Sequence, residues 1–380
     1  MSSPDLSLTL FVGASLGLAL TAIAPQPAAA RACDVDQCTV NTAELRGVDI
    51  KGLNVNGVTN LDGVRLVPGS VQLTASSTPL CPANGRGGLN LGVDSGMLIA
   101  RDPVSSAVVA SSLCMAGATF QIDIPLSHGK VTTMSRQTLR IGVIDTVDTW
   151  YADASLRTSL LSYQLINLAT GISICPLKEA FMESWQVDGL DTIPTATVAK
   201  WKDTTDRAVI VQGETYLETG QADGARSTPD WFNIACAGSA IAKLRLLGYD
   251  PMVPGGVLPA ERAATLKMLT ARYVRNSSQA WTRTGTPLRW EPTRRINGEL
   301  VTYLGGPDST KLGPYEADWT GEGPICVAHT RLASTTNGAT TVTEANDLKR
   351  IEDAGGATCA ILPGGQTHYW RTRTVSHIAH

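Results

Sequence analysis

The eight cysteines of this chain all lie downstream of one apolar N-terminal segment, and this arrangement constrains the fold more than any other feature. Residues 8–24 carry no charged side chain, and three alanines, Ala28 to Ala30, precede Arg31. An apolar stretch followed by an A-x-A site is typical of a secretory signal peptide, so we predict that residues 1–30 are cleaved off. An even number of cysteines would then enter an oxidising compartment, where disulfides form. They are Cys33, Cys38, Cys81, Cys114, Cys175, Cys236, Cys326 and Cys359.

The leader has two further interpretations, which the sequence leaves open. One is a retained membrane anchor, but residues 8–24 fall short of the roughly 20 apolar residues that span a bilayer, and Pro25 and Pro27 follow them. The other is a lipid anchor on Cys33. We expect a secreted, periplasmic or cell-surface protein without a transmembrane segment once the leader is removed.

Charge and composition limit the partners. The chain has 31 Lys and Arg residues against 34 Asp and Glu residues, a net charge of −3, which gives no electrostatic basis for binding nucleic acid or an anionic membrane. We therefore expect no nucleic-acid partner.

Composition also indicates the fold class. Charged residues make up only 17% of the chain and there are 36 glycines, which favours strands and turns over a helical fold.

The first predicted unit after the leader, residues 31–75, contains a short pentapeptide-like repeat. Apolar residues and glycines each recur every five residues, as in Leu45, Ile50, Val55, then Leu61 and Leu66 after a one-residue shift, and in Gly47, Gly52 and Gly57. This period matches neither helix nor strand. It predicts a coil in which an apolar side chain points inward and glycine forms the corner. A wrapped linker and a small adhesive element both remain open.

Alternating patterns predict a β-rich domain over residues 76–225. Apolar side chains alternate with polar ones in three stretches, at Phe120–Ile124, Leu139–Val143 and Tyr163–Leu165, and Ala208–Val211 is a short apolar run. Clusters of Gly, Ser, Asp and Pro separate them. Such period-two segments indicate an antiparallel sandwich or meander.

The third predicted domain, residues 226–380, begins with two helices. Helical spacing runs through Ile234, Ala237, Ile241, Leu244 and Leu247, with Gly248 as the stop, and a second helix runs from Pro259 to Tyr273. Strands, a short helix near residues 343–353 and a polar tail follow. The predicted fold class is mainly β with a small α+β part: a sandwich or meander plus a two-helix segment, stapled by disulfides.

Residues 231–332 resemble the ADYC domain, a family of secreted, mostly myxobacterial proteins without an established activity. The resemblance is carried by motifs in a fixed order: Phe232–Ala237, Ala240–Lys243, Gly248–Pro251, Ala271–Val274, Thr282–Pro287, Tyr315–Trp319 and Cys326–Arg331. Where the family pattern has two cysteines this chain has Leu244 and Val274, which implies a missing disulfide replaced by an apolar pair. The histidine expected before Thr-Arg is Trp281, so the resemblance implies no catalytic role there.

Proximity along the chain is the only basis for pairing the cysteines, because eight cysteines allow 105 connectivities. The pairs predicted in this way are Cys33–Cys38, Cys81–Cys114, Cys175–Cys236 and Cys326–Cys359.

Two sets of side chains are candidates for function. Trp281, Arg283, Trp290 and Trp319 would form an aromatic and arginine-bearing face that stacks on a ligand. The alternative set is His329, Arg331 and Asp318, in which the histidine and the acid would serve a hydrolase or transferase and the arginine would orient a carboxylate substrate. A thiolate at Cys326 is disfavoured because a disulfide is the expected state of that residue.

The leading hypothesis is a non-enzymatic, disulfide-stabilised binding module for a polysaccharide or a protein. A secreted hydrolase or transferase using His329, Arg331 and Asp318 is the alternative, and a structural component of an extracellular matrix is a third. We expect no cofactor, and no residues stand at metal-ligand spacing with suitable partners.

Overall fold

The computed structural model describes residues 43–46, 48–75, 81–82, 85–128, 131–175, 206–252, 257–281, 289–303, 312–331 and 340–375. The predicted leader, the Cys33–Cys38 pair and Arg283 lie outside these residues. The described residues all belong to one compact unit, Ala32–His380. The domain boundaries near residues 75 and 225 stay a prediction.

The first two thirds of the described chain form strands. In chain order they are β1 (Glu44–Leu45), β2 (Val48–Asp49), β3 (Leu53–Asn54), β4 (Arg65–Leu66), β5 (Asn90–Asp94), β6 (Met97–Arg101), β7 (Val108–Ser111), β8 (Thr119–His128), β9 (Val131–Asp148), β10 (Ser159–Asn167), β11 (Ile172–Ser173), β12 (Arg207–Gln212) and β13 (Trp231–Cys236).

Helices and shorter strands make up the rest. Helices α1 (Ala240–Leu246) and α2 (Pro259–Thr270) come first, followed by β14 (Arg289–Pro292), β15 (Arg295–Ile296), β16 (Glu299–Leu300), β17 (Leu312–Thr320), β18 (Gly323–Val327), α3 (Thr340–Asp353) and β19 (Trp370–Val375). The predicted fold class is confirmed: the described part of the chain is mostly antiparallel β structure with three helices.

The main sheet has eight strands in the order β3-β13-β12-β10-β9-β8-β4, with β11 beside β10, and it nearly closes on itself. Its long β8–β9 hairpin explains the predicted alternation: Phe120 pairs with Leu139, and both lie with Ile122, Ile124 and Ile141 in one buried core. Strands β5, β6 and β7 form a separate three-stranded sheet, with Leu91 and Leu98 in the same core. Burying alternate apolar side chains is what holds these strands in register.

A four-stranded sheet in the order β14-β19-β17-β18, which we call the second sheet, packs against α2. The indole nitrogen of Trp370 on β19 donates to the Thr265 hydroxyl of α2 at 2.8 Å, and that of Trp319 on β17 donates to the Thr372 hydroxyl at 2.9 Å. Both indoles are fully buried in a second core cluster, which also holds Leu266 of α2. Aromatic packing against one helix therefore defines the inner side of this sheet.

The predicted first helix begins too early. Residues 231–236 form β13, whose six side chains are all buried, so Ile234 is part of a central strand. Helix α1 starts only at Ala240, where the Ser239 hydroxyl accepts a hydrogen bond from the Ala242 N–H at 3.1 Å. The predicted stop at Gly248 is confirmed, because its φ of +74° is left-handed. No helix in the described ranges is both long and apolar enough to cross a membrane.

Three of the predicted disulfides are present. Cys81–Cys114 ties a loop to the turn before β8, Cys175–Cys236 joins the chain after β11 to β13, and Cys326–Cys359 joins β18 to the segment after α3. The described part of the chain contains no free cysteine. Position 326 therefore offers no thiolate for catalysis.

The segment with the five-residue pattern is built into the main sheet, since β3 pairs with β13 and β4 pairs with β8. Leu45, Ile50 and Leu66 are buried as predicted, but Leu61 is 63% exposed, so its predicted inward position is wrong. It follows Asn60, whose side-chain oxygen accepts from the N–H groups of Asp62 and Val64 and turns the chain outward there.

Lys51 connects this segment to a loop that follows β12. Its Nζ forms ion pairs with Asp49 at 3.4 Å and with Glu218. Burial raises the pKa of Asp49 to about 6, against the lowering effect of Lys51. The folded state thus binds a proton more tightly than the unfolded chain, and the resulting stabilisation is present below about pH 4 and lost as the pH rises through 6.

Asparagine at position 49 would remove this pH dependence. Between pH 4 and pH 7, we expect the difference in the free energy of unfolding between Asp49→Asn and the wild type to change by on the order of 2 kcal/mol in favour of the variant. Urea unfolding of both proteins at several pH values measures the difference. Parallel curves across this range would contradict the prediction.

Candidate ligand-binding face

The three tryptophans predicted to form a binding face are core residues. Trp281, Trp290 and Trp319 are only 1%, 8% and 0% exposed. Trp281 packs near Tyr273, with ring centroids 6.2 Å apart, and the guanidinium of Arg350 lies 4.7 Å from its ring centre. All three indoles belong to the buried core cluster that also holds Leu266 of α2, so the exposed aromatic face predicted from them does not form.

Arg331 is part of a buried ion pair. Its Nε and Nη2 donate to Glu316 Oε1 at 3.0 and 2.8 Å, and Nη2 also donates to the Met268 carbonyl at 2.7 Å. The Tyr273 hydroxyl donates to the same Glu316 oxygen at 2.7 Å. Burial and this carboxylate hold the pKa of Tyr273 well above its usual range. The hydrogen bonds among Arg331, Glu316 and Tyr273 thus connect the end of α2 to β17.

Asp318 belongs to a different ion pair. Both its oxygens accept from Arg371, at 2.7 Å each, and His368 Nδ1 lies 3.8 Å away. The backbone N–H of His329 donates to the Glu316 carbonyl at 3.4 Å. The alternative catalytic set of His329, Arg331 and Asp318 is therefore divided among separate partners, and the structure gathers no reacting centre from them.

The other side of the second sheet presents arginines around a tyrosine. Arg371 and Arg373 are two residues apart on β19 and so share one face of the sheet. Tyr315 on β17 is paired with Arg373, and the two guanidinium carbons lie 5.0 Å (Arg371) and 3.3 Å (Arg373) from its ring centre. We call this surface, with Glu291 and Asp318, the arginine face. Stacking on the ring keeps both guanidinium groups in a defined orientation.

Carboxylates fix the same arginines from the side. The bidentate bond to Asp318 raises the pKa of Arg371 further above its usual range. Arg373 Nε donates to Glu291 Oε1 on β14 at 3.0 Å. Tyr315, Arg371 and Arg373 are half-buried, whereas their neighbours Trp370, Thr372 and Thr374 are buried. The face is thus an ordered, solvent-accessible array and not a set of loose surface side chains.

Sequence reasoning missed this face because it took the end of the chain for a polar tail. Residues 370–375 form an inner strand of the second sheet, between β14 and β17. The signal was present in Trp-Arg-Thr-Arg-Thr, where arginine alternates with tryptophan and threonine. Threonine at the buried positions makes that alternation weak in hydrophobic terms.

The comparison with protein-family models gives a match to part of the chain. Residues 184–333 match the family model of the ADYC domain. Neither the curated proteins nor the solved structures include a significant match to the chain. The matched part contains β12 to β18, with Tyr315 and Asp318, whereas Arg371 and Arg373 come from outside it. This match includes the motifs that carry the resemblance, and residues 184–333 are thus similar to the ADYC domain.

Proposed function

We propose that this chain is an exported, non-enzymatic binding protein that holds an acidic polysaccharide on its arginine face. Three disulfides fit a protein that matures in an oxidising compartment. The ADYC domain and the disulfide-stapled β fold are compatible with a stabilised extracellular protein. The oriented guanidinium groups of the arginine face indicate an acidic ligand.

The observation that carries the proposal is the pair of guanidinium groups oriented over one tyrosine ring. A guanidinium presents five donors in a planar fork that matches a carboxylate. Asp318 and Glu291 occupy part of each fork and hold the arginines in place. Two oriented cations, two residues apart on one face of a strand, suit a polymer that repeats its carboxylates, as a polyuronate does.

Arg373 gives the sharpest test, because its acidic partner Glu291 is itself 35% exposed and tolerates loss of the pair. We expect Arg373→Gln to weaken binding to polygalacturonate at least tenfold while leaving the unfolding midpoint almost unchanged. Affinity electrophoresis through gels containing polygalacturonate or the neutral glucan dextran measures the retardation of each protein.

Arg275→Gln is the matched control. Arg275 also pairs with a glutamate, Glu322, at the surface, where the two side chains are 65% and 60% exposed. This variant should be retarded like the wild type. Equal retardation of Arg373→Gln, or equal retardation of the wild type in dextran, would refute the proposed face.

A further inference from the structure

The charges that define the arginine face balance each other. Arg371 is hydrogen-bonded to both oxygens of Asp318. Arg373 donates to Glu291 in the same way, so two guanidinium groups are matched by two carboxylates. An acidic ligand therefore meets two oriented donors but gains no attraction from a net positive charge. One further cation at the edge of the face would change this balance.

His368 lies at that edge, just before β19. Its Nδ1 is 3.8 Å from Asp318 Oδ2, the same oxygen that accepts from Arg371 Nη2 at 2.7 Å. The backbone is fixed there by Thr293, which follows β14 and whose hydroxyl donates to the carbonyl of His368 at 2.9 Å. The imidazole thus has a defined position beside the Asp318–Arg371 pair.

The hydrogen bond of the imidazole decides which of its nitrogens can take up a proton. Nδ1 lies 3.0 Å from the carbonyl oxygen of Gln366. A carbonyl can only accept, so Nδ1 carries a proton in the neutral ring as well as in the charged ring. Nε2 is then the nitrogen that gains the second proton.

Nε2 is accessible to a ligand. The His368 side chain is 18% exposed, and Nε2 has no hydrogen-bond partner among the described residues, nor is it one of their buried unpaired atoms. The charged groups on the neighbouring strands are Asp318 on β17, Arg371 on β19 and, opposite Arg371 in the register, Glu291 on β14. A proton on Nε2 therefore adds a cation to a face whose other charges are already paired.

We infer that His368 is a third ligand-binding residue of the arginine face and that its protonation strengthens binding of the acidic polysaccharide. This inference rests on the proposed function of that face. Histidine is the side chain that gains its charge between pH 8 and pH 5, a range in which uronate carboxylates stay ionised. The second proton supplies a positive charge and a new donor, Nε2–H, to a ligand carboxylate. The ligand is held in mildly acidic surroundings and released as the pH rises.

Binding of rhodamine-labelled polygalacturonate at pH 5.5 and pH 8.0 tests this inference, with fluorescence anisotropy as the readout and the ionic strength held constant. We expect the dissociation constant of the wild type to be about fivefold lower at pH 5.5 than at pH 8.0. His368→Gln keeps a polar side chain without the charge, so it should bind like the wild type at pH 8.0 and show no gain at pH 5.5.

His368→Lys tests the same point in the opposite direction. A lysine is charged at both pH values, so this variant should bind more tightly than the wild type at pH 8.0 and lose the pH dependence. The unfolding midpoints of both variants at the two pH values separate a change in binding from a loss of fold.

His329→Gln is the matched control. His329 is also half-buried, but it is not a member of the arginine face, and its backbone N–H donates to the Glu316 carbonyl. This variant should keep the pH dependence of the wild type. Loss of the dependence in His329→Gln would assign it to the wrong histidine and overturn the inference.

Two other results would overturn the inference while leaving the arginine face in place. They are equal affinities of the wild type at the two pH values and a His368→Gln variant that keeps the pH dependence. Failure of the proposed function looks different, because the wild type would then bind polygalacturonate at neither pH, or Arg373→Gln would bind as tightly as the wild type.

Discussion

Replacing Arg331 by methionine should lower the free energy of unfolding by about 3–5 kcal/mol, because it leaves a buried carboxylate without its cation. Glu316 is 0% exposed, and its second oxygen, Oε2, has no hydrogen-bond partner among the described residues. The Tyr273 hydroxyl would be the remaining donor to Oε1. Urea unfolding at pH 7, followed by tryptophan fluorescence, measures the loss.

The defect should shrink in acid. An unpaired buried carboxylate has a folded-state pKa above its unfolded value, so the penalty is absent below about pH 4 and grows as the pH rises. A second variant, Arg331→Met with Glu316→Gln, should recover part of the stability at pH 7. If the single variant were as stable as the wild type while ligand binding or any hydrolytic activity disappeared, Arg331 would have a functional role and not a structural one.

Removing the Cys175–Cys236 disulfide by a double alanine substitution should cost about 4 kcal/mol, since the bond closes a loop with a sequence separation of 61 residues. Both sulfur atoms belong to side chains that are at most 2% exposed, so the substitution also leaves unfilled space in the core. Thermal unfolding under non-reducing conditions reports the change.

The Cys326–Cys359 pair is the matched comparison. Its sequence separation is 33 residues and Cys359 is half-buried, so its removal should cost less than that of Cys175–Cys236. The opposite ranking would show that local strain, and not loop closure and core packing, determines what each bond contributes.

The parts of the fold that the sequence predicted are those where one local period decides the outcome. Phe120, Ile122 and Ile124 alternate with polar residues because β8 buries a single face, and Gly248 ends α1 because its left-handed backbone favours glycine. Proximity also sufficed for three disulfides, since each of those bonds closes the loop between two cysteines that are neighbours in sequence.

Where burial is continuous, the same reasoning fails. Strand β13 is buried on both faces, so it shows no alternation, and Ile234 happens to fall at helical spacing from the residues of α1. The tryptophans posed a related problem, because an indole in a sequence does not reveal which side of a sheet it occupies. Trp290 and Trp319 lie in the buried core cluster that also holds Leu266 of α2, and Tyr315 and the arginines of β19 form the more exposed side of the sheet.

The candidate site depends on contacts between residues far apart in sequence. Tyr315 meets Arg373 across 58 positions of the chain, and His368 lies beside Asp318 across a similar interval. Such pairs follow from sheet order and not from any local pattern. The stretch that resembles the family includes Tyr315 and Asp318. Arg371 and Arg373 lie beyond residue 333, so the resemblance implied no role for them.

The position of β19 has a consequence for the order of biosynthesis. This strand follows α3 in the chain but is inserted between β14 and β17, which are made earlier. The second sheet therefore lacks its middle strand until residue 375 has left the ribosome. Until then β14 and β17 have no partner across the gap, and the arginine face does not exist. The last strand of the described chain is therefore the one that unites the second sheet, so β14 and β17 depend on a segment made well after them.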